Sequence, residues 1–96
     1  MTLIENICVS YSRRFIKQYE KADQKIQKAF DRKLALFLTD SFHPLLNNHE
    51  LTGQFAGYRS INITGDWRAH YSQSTDEKGY TKYVFELFGT HSQLYR

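Results

Sequence analysis

The chain has 96 residues, is 41% hydrophobic and 24% charged, and carries a net charge of +3 at pH 7. This length predicts a single domain, residues 1–96, with a core that needs neither disulfides nor metal. Cys8 is the only cysteine, which excludes an internal disulfide and favours the reducing cytoplasm. The N-terminus has no signal-peptide pattern, and the apolar runs are too short to cross a membrane.

The chain begins with a predicted strand and a predicted helix. Residues 4–9 read IENICV, an apolar-leaning run that indicates a first strand. Ser10 or Ser12 can then cap a helix. Apolar residues follow at positions i, i+4 and i+7, which predicts one buried helix stripe. The stripe consists of Phe15, Tyr19 and Ala22.

A second helix is predicted almost without an intervening loop. Asp23 is its expected N-cap, and apolar residues recur with helical spacing before Pro44. Because the two helices abut, we expect an antiparallel helix hairpin. The buried stripe of the second helix consists of Ile26, Phe30, Leu34 and Phe37 or Leu38.

Positive charge is concentrated on these two helices. Residues 13–33 contain eight basic and only three acidic residues. A basic surface of this kind attracts polyanions through steering and counterion release. A solvated helix face has the same composition, so the charge pattern alone leaves both interpretations open.

After the helices, the periodicity changes from helical to alternating. Residues 41–57 are loop-like, with Asn and Gly as punctuation, and three strands follow. Gly89 is expected to end the last strand. Strands in series favour an antiparallel sheet covered by the helix hairpin, a small two-layer α+β fold in the order β-α-α-β-β-β. The predicted strands span residues 58–63, 67–73 and 80–88.

The candidate chemistry lies in the second half of the chain. His49 precedes the sheet, Asp66 follows a predicted turn, and His91 and Tyr95 lie in the tail. In an antiparallel sheet, the start of the third strand and the end of the fourth meet at one edge. We therefore expect Asp66 and His91 to be neighbours. No zinc-ligand spacing and no phosphate-binding glycine loop is present, so neither a metal nor a cofactor is expected.

Two imidazoles, a carboxylate and a guanidinium suit metal-free cleavage of RNA. One group removes the 2′-hydroxyl proton, another protonates the leaving 5′-oxygen, and a cation stabilises the charged phosphorane. Each residue also has a structural interpretation. Asp66 suits turn chemistry, Trp67 suits a core position, and Arg68 suits a solvated strand position. The same holds for His70, which shares the face of Arg68.

Two stretches, HELTGQFAGYRSINITGDWRAHY and FELFGTHSQLY, resemble the RelE/YafQ-type toxins of bacterial type II toxin–antitoxin systems. The shared pattern is L-x-G, G-Y-R, a D-W hairpin and a G-T-H-x-x-L-[YF] tail, and the resemblance covers essentially the whole chain. It implies a RelE/ParE-like fold and a metal-independent mRNA interferase that cleaves messenger RNA on the ribosome and so inhibits translation. The implied partners are an antitoxin, often of the ribbon-helix-helix type, the ribosome and messenger RNA.

The resemblance also assigns roles to individual residues. His49 matches a histidine that contributes to cleavage, and Asp66 and His91 match proton-transfer groups of the YafQ branch. Tyr95 occupies the position of the tail aromatic that orients the substrate. Trp67 matches a site residue of the YafQ branch, and Arg68 resembles a phosphate-contacting arginine of the RelE branch. The predicted RNA-binding group comprises Arg59, Trp67, Arg68 and His70.

Two positions depart from the family pattern. Asn62 stands where the YafQ pattern has a histidine, and Leu87 stands where it has an arginine. Compensation for the lost charge by Arg68 or His70 is a hypothesis. The departures keep two alternatives open: a ParE-like toxin that inhibits DNA gyrase and cleaves nothing, and a degenerate member that only binds its antitoxin.

Overall fold

The computed structural model describes residues 2–4 and 6–95, and its strands form one six-stranded sheet. The strands are β1 (Thr2–Ile4), β2 (Ile7–Tyr11), β3 (His49–Glu50), β4 (Arg59–Thr64), β5 (Trp67–Thr75) and β6 (Thr81–Thr90). The helices are α1 (Arg13–Lys21), α2 (Gln24–Thr39) and the one-turn α3 (His91–Leu94), and short 3₁₀ turns span Pro44–Leu46 and Gly53–Phe55. The strand order across the sheet is β1-β2-β6-β5-β4-β3.

The predicted two-layer α+β fold is confirmed, but the sheet is mixed rather than purely antiparallel. The single predicted N-terminal strand is two strands, because β1 and β2 pair antiparallel around a turn at Asn6. After β2 the chain leaves the sheet for the helix hairpin. β2 consequently pairs in parallel with the last strand, β6, while the remaining pairs are antiparallel.

Capping residues set the starts of both long helices, as the sequence predicts. The Ser12 hydroxyl accepts a hydrogen bond from the Phe15 amide at 3.0 Å, so Ser12, not Ser10, is the N-cap of α1. The Asp23 carboxylate accepts from the Lys25 amide at 2.8 Å and caps α2. Both caps satisfy amide groups that have no partner within their own helix.

An aromatic core joins the helix hairpin to one face of the sheet. Phe15 of α1 packs on Phe88 of β6, with ring centroids 5.3 Å apart. Phe37 of α2 packs on Tyr71 and Tyr83 at 4.9 and 4.7 Å. The opposite face, which we call the site face, is not covered by these two helices, although Arg14 in the first turn of α1 lies at its edge beside Phe55 and Leu87. None of the helices in the described part of the chain has the length and apolar character needed to span a membrane.

A β-bulge in β6 changes which residues reach the site face. His70 pairs with Leu87, but the next residue, Tyr71, pairs with Phe85, so Glu86 is an extra residue in β6. Regular alternation along β6 would put Phe85 and Leu87 on one face, but the bulge interrupts it, and Leu87 lies on the face of His70. Ser12 supports the bulge, since its hydroxyl donates to the Glu86 carbonyl at 2.8 Å.

Candidate functional site

A row of side chains crosses the site face from β3 to β6. Directly paired residues on neighbouring strands lie on the same face of a sheet. Arg68 lies on the same face as His70, two residues earlier in β5, because successive strand residues alternate between the two faces. The row is formed by His49, Ser60, His70 and Leu87.

His70 is the buried centre of this row. Its side chain is 0% exposed, and its Nε2 lies 3.3 Å from the Tyr95 hydroxyl. Burial lowers the pKa of His70 to about 4, and the neighbouring His49 and His91 contribute to the shift. His70 is therefore neutral at pH 7. The sequence predicts an RNA contact and compensating charge at His70, whereas the structure buries it and removes its charge.

The tail brings His91 and Tyr95 to the same face. The His91 amide donates to the Asp66 carbonyl at 2.9 Å, so the expected proximity of Asp66 and His91 is confirmed along the main chain. The Tyr95 ring packs on the His91 ring with centroids 4.5 Å apart. Asp66 itself is exposed at the turn that opens β5.

A capping box starts the tail helix. The Thr90 hydroxyl accepts from the Gln93 amide at 3.3 Å, and the Gln93 side chain accepts from the Thr90 amide at 2.9 Å. Gly89, expected to end the strand, lies within β6. A Cβ at Gly89 would lie 2.9 Å from the Gln93 side-chain oxygen, so the absence of a side chain there leaves room for the capping box.

His49 has a fixed orientation although it is exposed. Its Nδ1 lies 2.8 Å from the Asn47 carbonyl oxygen. A carbonyl oxygen only accepts hydrogen bonds, so Nδ1 carries the proton and Nε2 is the nitrogen that can receive one. In the predicted catalytic residue His49, Nε2 is therefore the ring nitrogen without a proton.

Arg68 supplies a permanent positive charge beside the tail. Its guanidinium donates to the Gly65 and Trp67 carbonyls at 2.9 and 3.0 Å, which holds it near the β4–β5 turn. Burial raises the pKa of Tyr95, and the charge of Arg68 only partly offsets that rise. Arg68 and Tyr95 therefore lie close enough to interact electrostatically.

Two predicted RNA-binding residues lie away from this group. Trp67 points to the helix-covered face, where it packs on Phe88 at a centroid distance of 5.3 Å. Arg59 donates to the Asn48 side chain at 2.8 Å and pairs with Glu50 at 3.6 Å. Both side chains have structural partners, and the structure does not bring them together with His49, His70 and His91.

Sequence reasoning missed Phe55, which lies in the second 3₁₀ turn. Its ring packs edge-on against His70 and Tyr95, with centroids 5.0 and 5.4 Å apart. A bulky aromatic residue in an otherwise polar loop was the available signal. Among the described residues, the buried Asn62 Oδ1 and His70 Nδ1 have no hydrogen-bond partner. No three His, Cys, Asp or Glu side chains within the described ranges are placed to hold a metal ion.

Comparison with known proteins places this fold among bacterial toxins. No family model matches the chain, and no curated protein matches it by sequence. The structure is similar to a YoeB/ParE toxin from Agrobacterium tumefaciens, with 20% identity, a TM-score of 0.71, and 88% of this chain and 98% of that chain covered. It is also similar to YafQ from E. coli strain BL21(DE3), with 26% identity, a TM-score of 0.62, and 92% of this chain and 97% of that chain covered.

A third similar structure is a toxin–antitoxin assembly. The E. coli DinJ–YafQ complex matches with 26% identity, a TM-score of 0.62, and 95% of this chain and 99% of that chain covered. These findings confirm the resemblance to RelE/YafQ-type toxins that the motifs indicate. They also confirm the α+β fold of that group.

Proposed function

We propose that the chain is the toxin of a toxin–antitoxin pair and a metal-independent endoribonuclease that cleaves messenger RNA on the ribosome. The observation that carries the proposal is the grouping of His49, His91, Tyr95 and Arg68 on one open face of a toxin-type fold. Imidazoles exchange protons near neutral pH, and a guanidinium stabilises phosphate charge. Inhibition of translation is the cellular consequence.

The geometry supports a division of roles between the two exposed histidines. His49 Nε2 takes the proton from a ribose 2′-hydroxyl, whose oxygen attacks the adjacent phosphorus. Protonated His91 gives its proton to the departing 5′-oxygen, which leaves a 2′,3′-cyclic phosphate and a free 5′-hydroxyl. Arg68 stabilises the charge that builds on the phosphoryl oxygens. Asp66 holds His91 through its carbonyl, and its exposed carboxylate is a second acid–base candidate.

The proposed partners follow from the same comparison and from the charge distribution. Complexes such as DinJ–YafQ support a cognate antitoxin, which we propose to be of the ribbon-helix-helix type. The basic helices α1 and α2 lie opposite the site face and are the proposed contact with ribosomal RNA. The proposed location is the cytoplasm, where both partners would be found.

In vitro translation with primer extension on the messenger tests the activity. We expect ribosome-dependent cleavage by the wild type and a loss of at least about 100-fold in His49→Ala and His91→Ala, because each removes a proton-transfer group. His43→Ala is the matched control, since His43 is a loop histidine outside the site. Intact messenger at full toxin dose with ribosomes present would refute the proposal.

A ParE-like gyrase inhibitor is the second candidate, favoured by the similarity to the YoeB/ParE toxin from Agrobacterium tumefaciens. That function requires no proton-transfer group. Growth arrest that persists in His91→Ala, together with loss of gyrase supercoiling, would establish this candidate instead. No growth arrest with antitoxin binding intact would identify a degenerate member.

A further inference from the structure

The site face contains a buried ionisable side chain to which the proposed mechanism assigns no role. His70 is fully buried, whereas the two histidines assigned to proton transfer, His49 and His91, are exposed. Burying an imidazole without a function in packing or hydrogen bonding is unfavourable. The contacts of His70 indicate what it does.

The Tyr95 ring packs against both His70 and Phe55. The Tyr95 hydroxyl lies 3.3 Å from His70 Nε2, and the two rings pack edge-on with centroids 5.5 Å apart. Phe55 contacts both rings at 5.0 and 5.4 Å. A neutral imidazole carries one ring proton, so either tautomer can form one hydrogen bond with the hydroxyl.

Tyr95 transmits this restraint to His91. The two rings lie 4.5 Å apart and are inclined by only 31°. α3 spans a single turn, and isolated helices this short are unstable. The capping box and the bond to the Asp66 carbonyl hold the main chain of this turn, and the Tyr95 ring adds a contact that restrains the His91 ring itself.

We propose that His70 is a positioning residue: it holds the Tyr95 hydroxyl, and Tyr95 in turn holds the His91 imidazole for catalysis. The inference rests on the proposed nuclease function for its kinetic consequence. It replaces the predicted RNA contact of His70 with an indirect role. It also gives a reason for a hydroxyl on the tail aromatic, because phenylalanine at position 95 would leave His70 without this partner.

Four variants separate positioning from RNA binding, and a fifth serves as the control. His70→Phe keeps an aromatic ring and removes the hydrogen bond, Tyr95→Phe removes the hydroxyl, and the double variant removes both. His70→Gln retains a group that can bond the hydroxyl. Tyr80→Phe is the matched control, because Tyr80 and Tyr95 are similarly exposed, at 36% and 37%.

The kinetic assay measures single-turnover cleavage on programmed ribosomes. We expect each single variant to lower the rate constant about fivefold, the usual effect of one lost hydrogen bond, at an unchanged half-saturating ribosome concentration. The double variant should lose no more than either single variant, and His70→Gln should retain most of the rate. A raised half-saturating concentration at an unchanged rate constant, or multiplicative losses, would overturn the inference.

A spectroscopic readout keeps the inference testable even if no messenger is cleaved. We expect Tyr95→Phe to move the ¹⁵N resonance of His70 Nε2, while Tyr80→Phe leaves it in place. An unmoved His70 resonance in Tyr95→Phe would overturn the inference whatever the activity of the chain. Absence of cleavage with the expected resonance change would instead refute only the proposed function.

Discussion

At the scale of residues, several side chains of the site face are uncharged at pH 7. His70 is buried and neutral at pH 7, and Asn62 and Leu87 are uncharged. The hypothesis that His70 compensates for a missing arginine therefore fails on electrostatic grounds. Arg68 is a permanent cation on this face, and its charge acts on Tyr95.

The buried His70 should make the fold sensitive to mild acid. Its folded-state pKa, about 4, lies below the ordinary value of 6.5, so the unfolded chain binds this proton first as the pH falls. The contribution of His70 to stability is thus fully present above about pH 6.5 and declines towards pH 4, by roughly 3 kcal/mol in total.

Urea unfolding of the wild type and His70→Gln across this pH range measures the effect. The substitution removes the titrating group, so the difference in unfolding free energy between the two proteins should shrink or reverse as the pH falls. A difference that stays constant from pH 7 to pH 4 would contradict the assigned burial effect.

Replacement of Arg68 should affect cleavage more than folding. Arg68→Gln removes the charge that stabilises the phosphorane, and we expect a loss on the order of 100-fold in the cleavage rate constant. Arg68→Lys keeps the charge without the planar fork and should lose less. Equal rates for Arg68→Gln and the wild type in the ribosome assay would remove Arg68 from the mechanism.

At the scale of elements, the one-turn α3 depends on the groups at its N-terminus. Thr90 and Gln93 form the capping box, and Gly89 leaves the space that it occupies. The tail residues His91 and Tyr95 are held in place only as long as this turn is formed. The capping box is therefore part of the site as well as of the fold.

Removal of the cap should loosen the tail. Thr90→Ala deletes the acceptor for the Gln93 amide and should cost about 1 kcal/mol, while Thr90→Ser retains an acceptor. We expect faster hydrogen exchange at the His91 and Tyr95 amides in the alanine variant, measured by NMR. Identical exchange rates in the two variants would show that the cap does not stabilise α3.

At the scale of the whole molecule, the two faces have different roles in the proposed function. The helix hairpin carries most of the basic residues, whereas the site face carries the histidines. Binding to ribosomal RNA and cleavage of the messenger should therefore be separable by mutation. Exposed lysines on the helices provide the variants.

Neutralising three exposed lysines should weaken ribosome binding without changing the site. We expect Lys17→Gln, Lys25→Gln and Lys28→Gln together to lower the affinity and to reduce the slope of log affinity against log salt, by up to about 0.7–0.9 per lost phosphate contact. The variant with arginine at the same three positions keeps the positive charge and should bind like the wild type. An unchanged salt slope, measured by sedimentation with ribosomes, would exclude the helices as the contact surface.

Local rules in the sequence predicted much of this arrangement. Ser12 and Asp23 follow the chemistry of helix caps, and the proximity of Asp66 and His91 follows from antiparallel strand connectivity. The bulge at Glu86 could not be predicted from the alternation of apolar and polar residues. Its one extra residue reverses the face of every later residue of β6. The burial of His70 depends on the bulged part of β6 and on the contact with Phe55. These segments are distant in sequence, so the sequence alone does not show that they meet.

The parallel pairing of β2 with β6 has a consequence for how the chain folds. Ser12 and Glu86, which meet at the end of this pairing, are 74 positions apart. Closing so long a loop costs chain entropy, whereas β4, β5 and β6 pair through short connections. The β4–β6 meander can therefore form early and leave the edge of β6 open until β2 arrives. During that interval the edge of β6 presents unpaired backbone groups, as any open strand edge does.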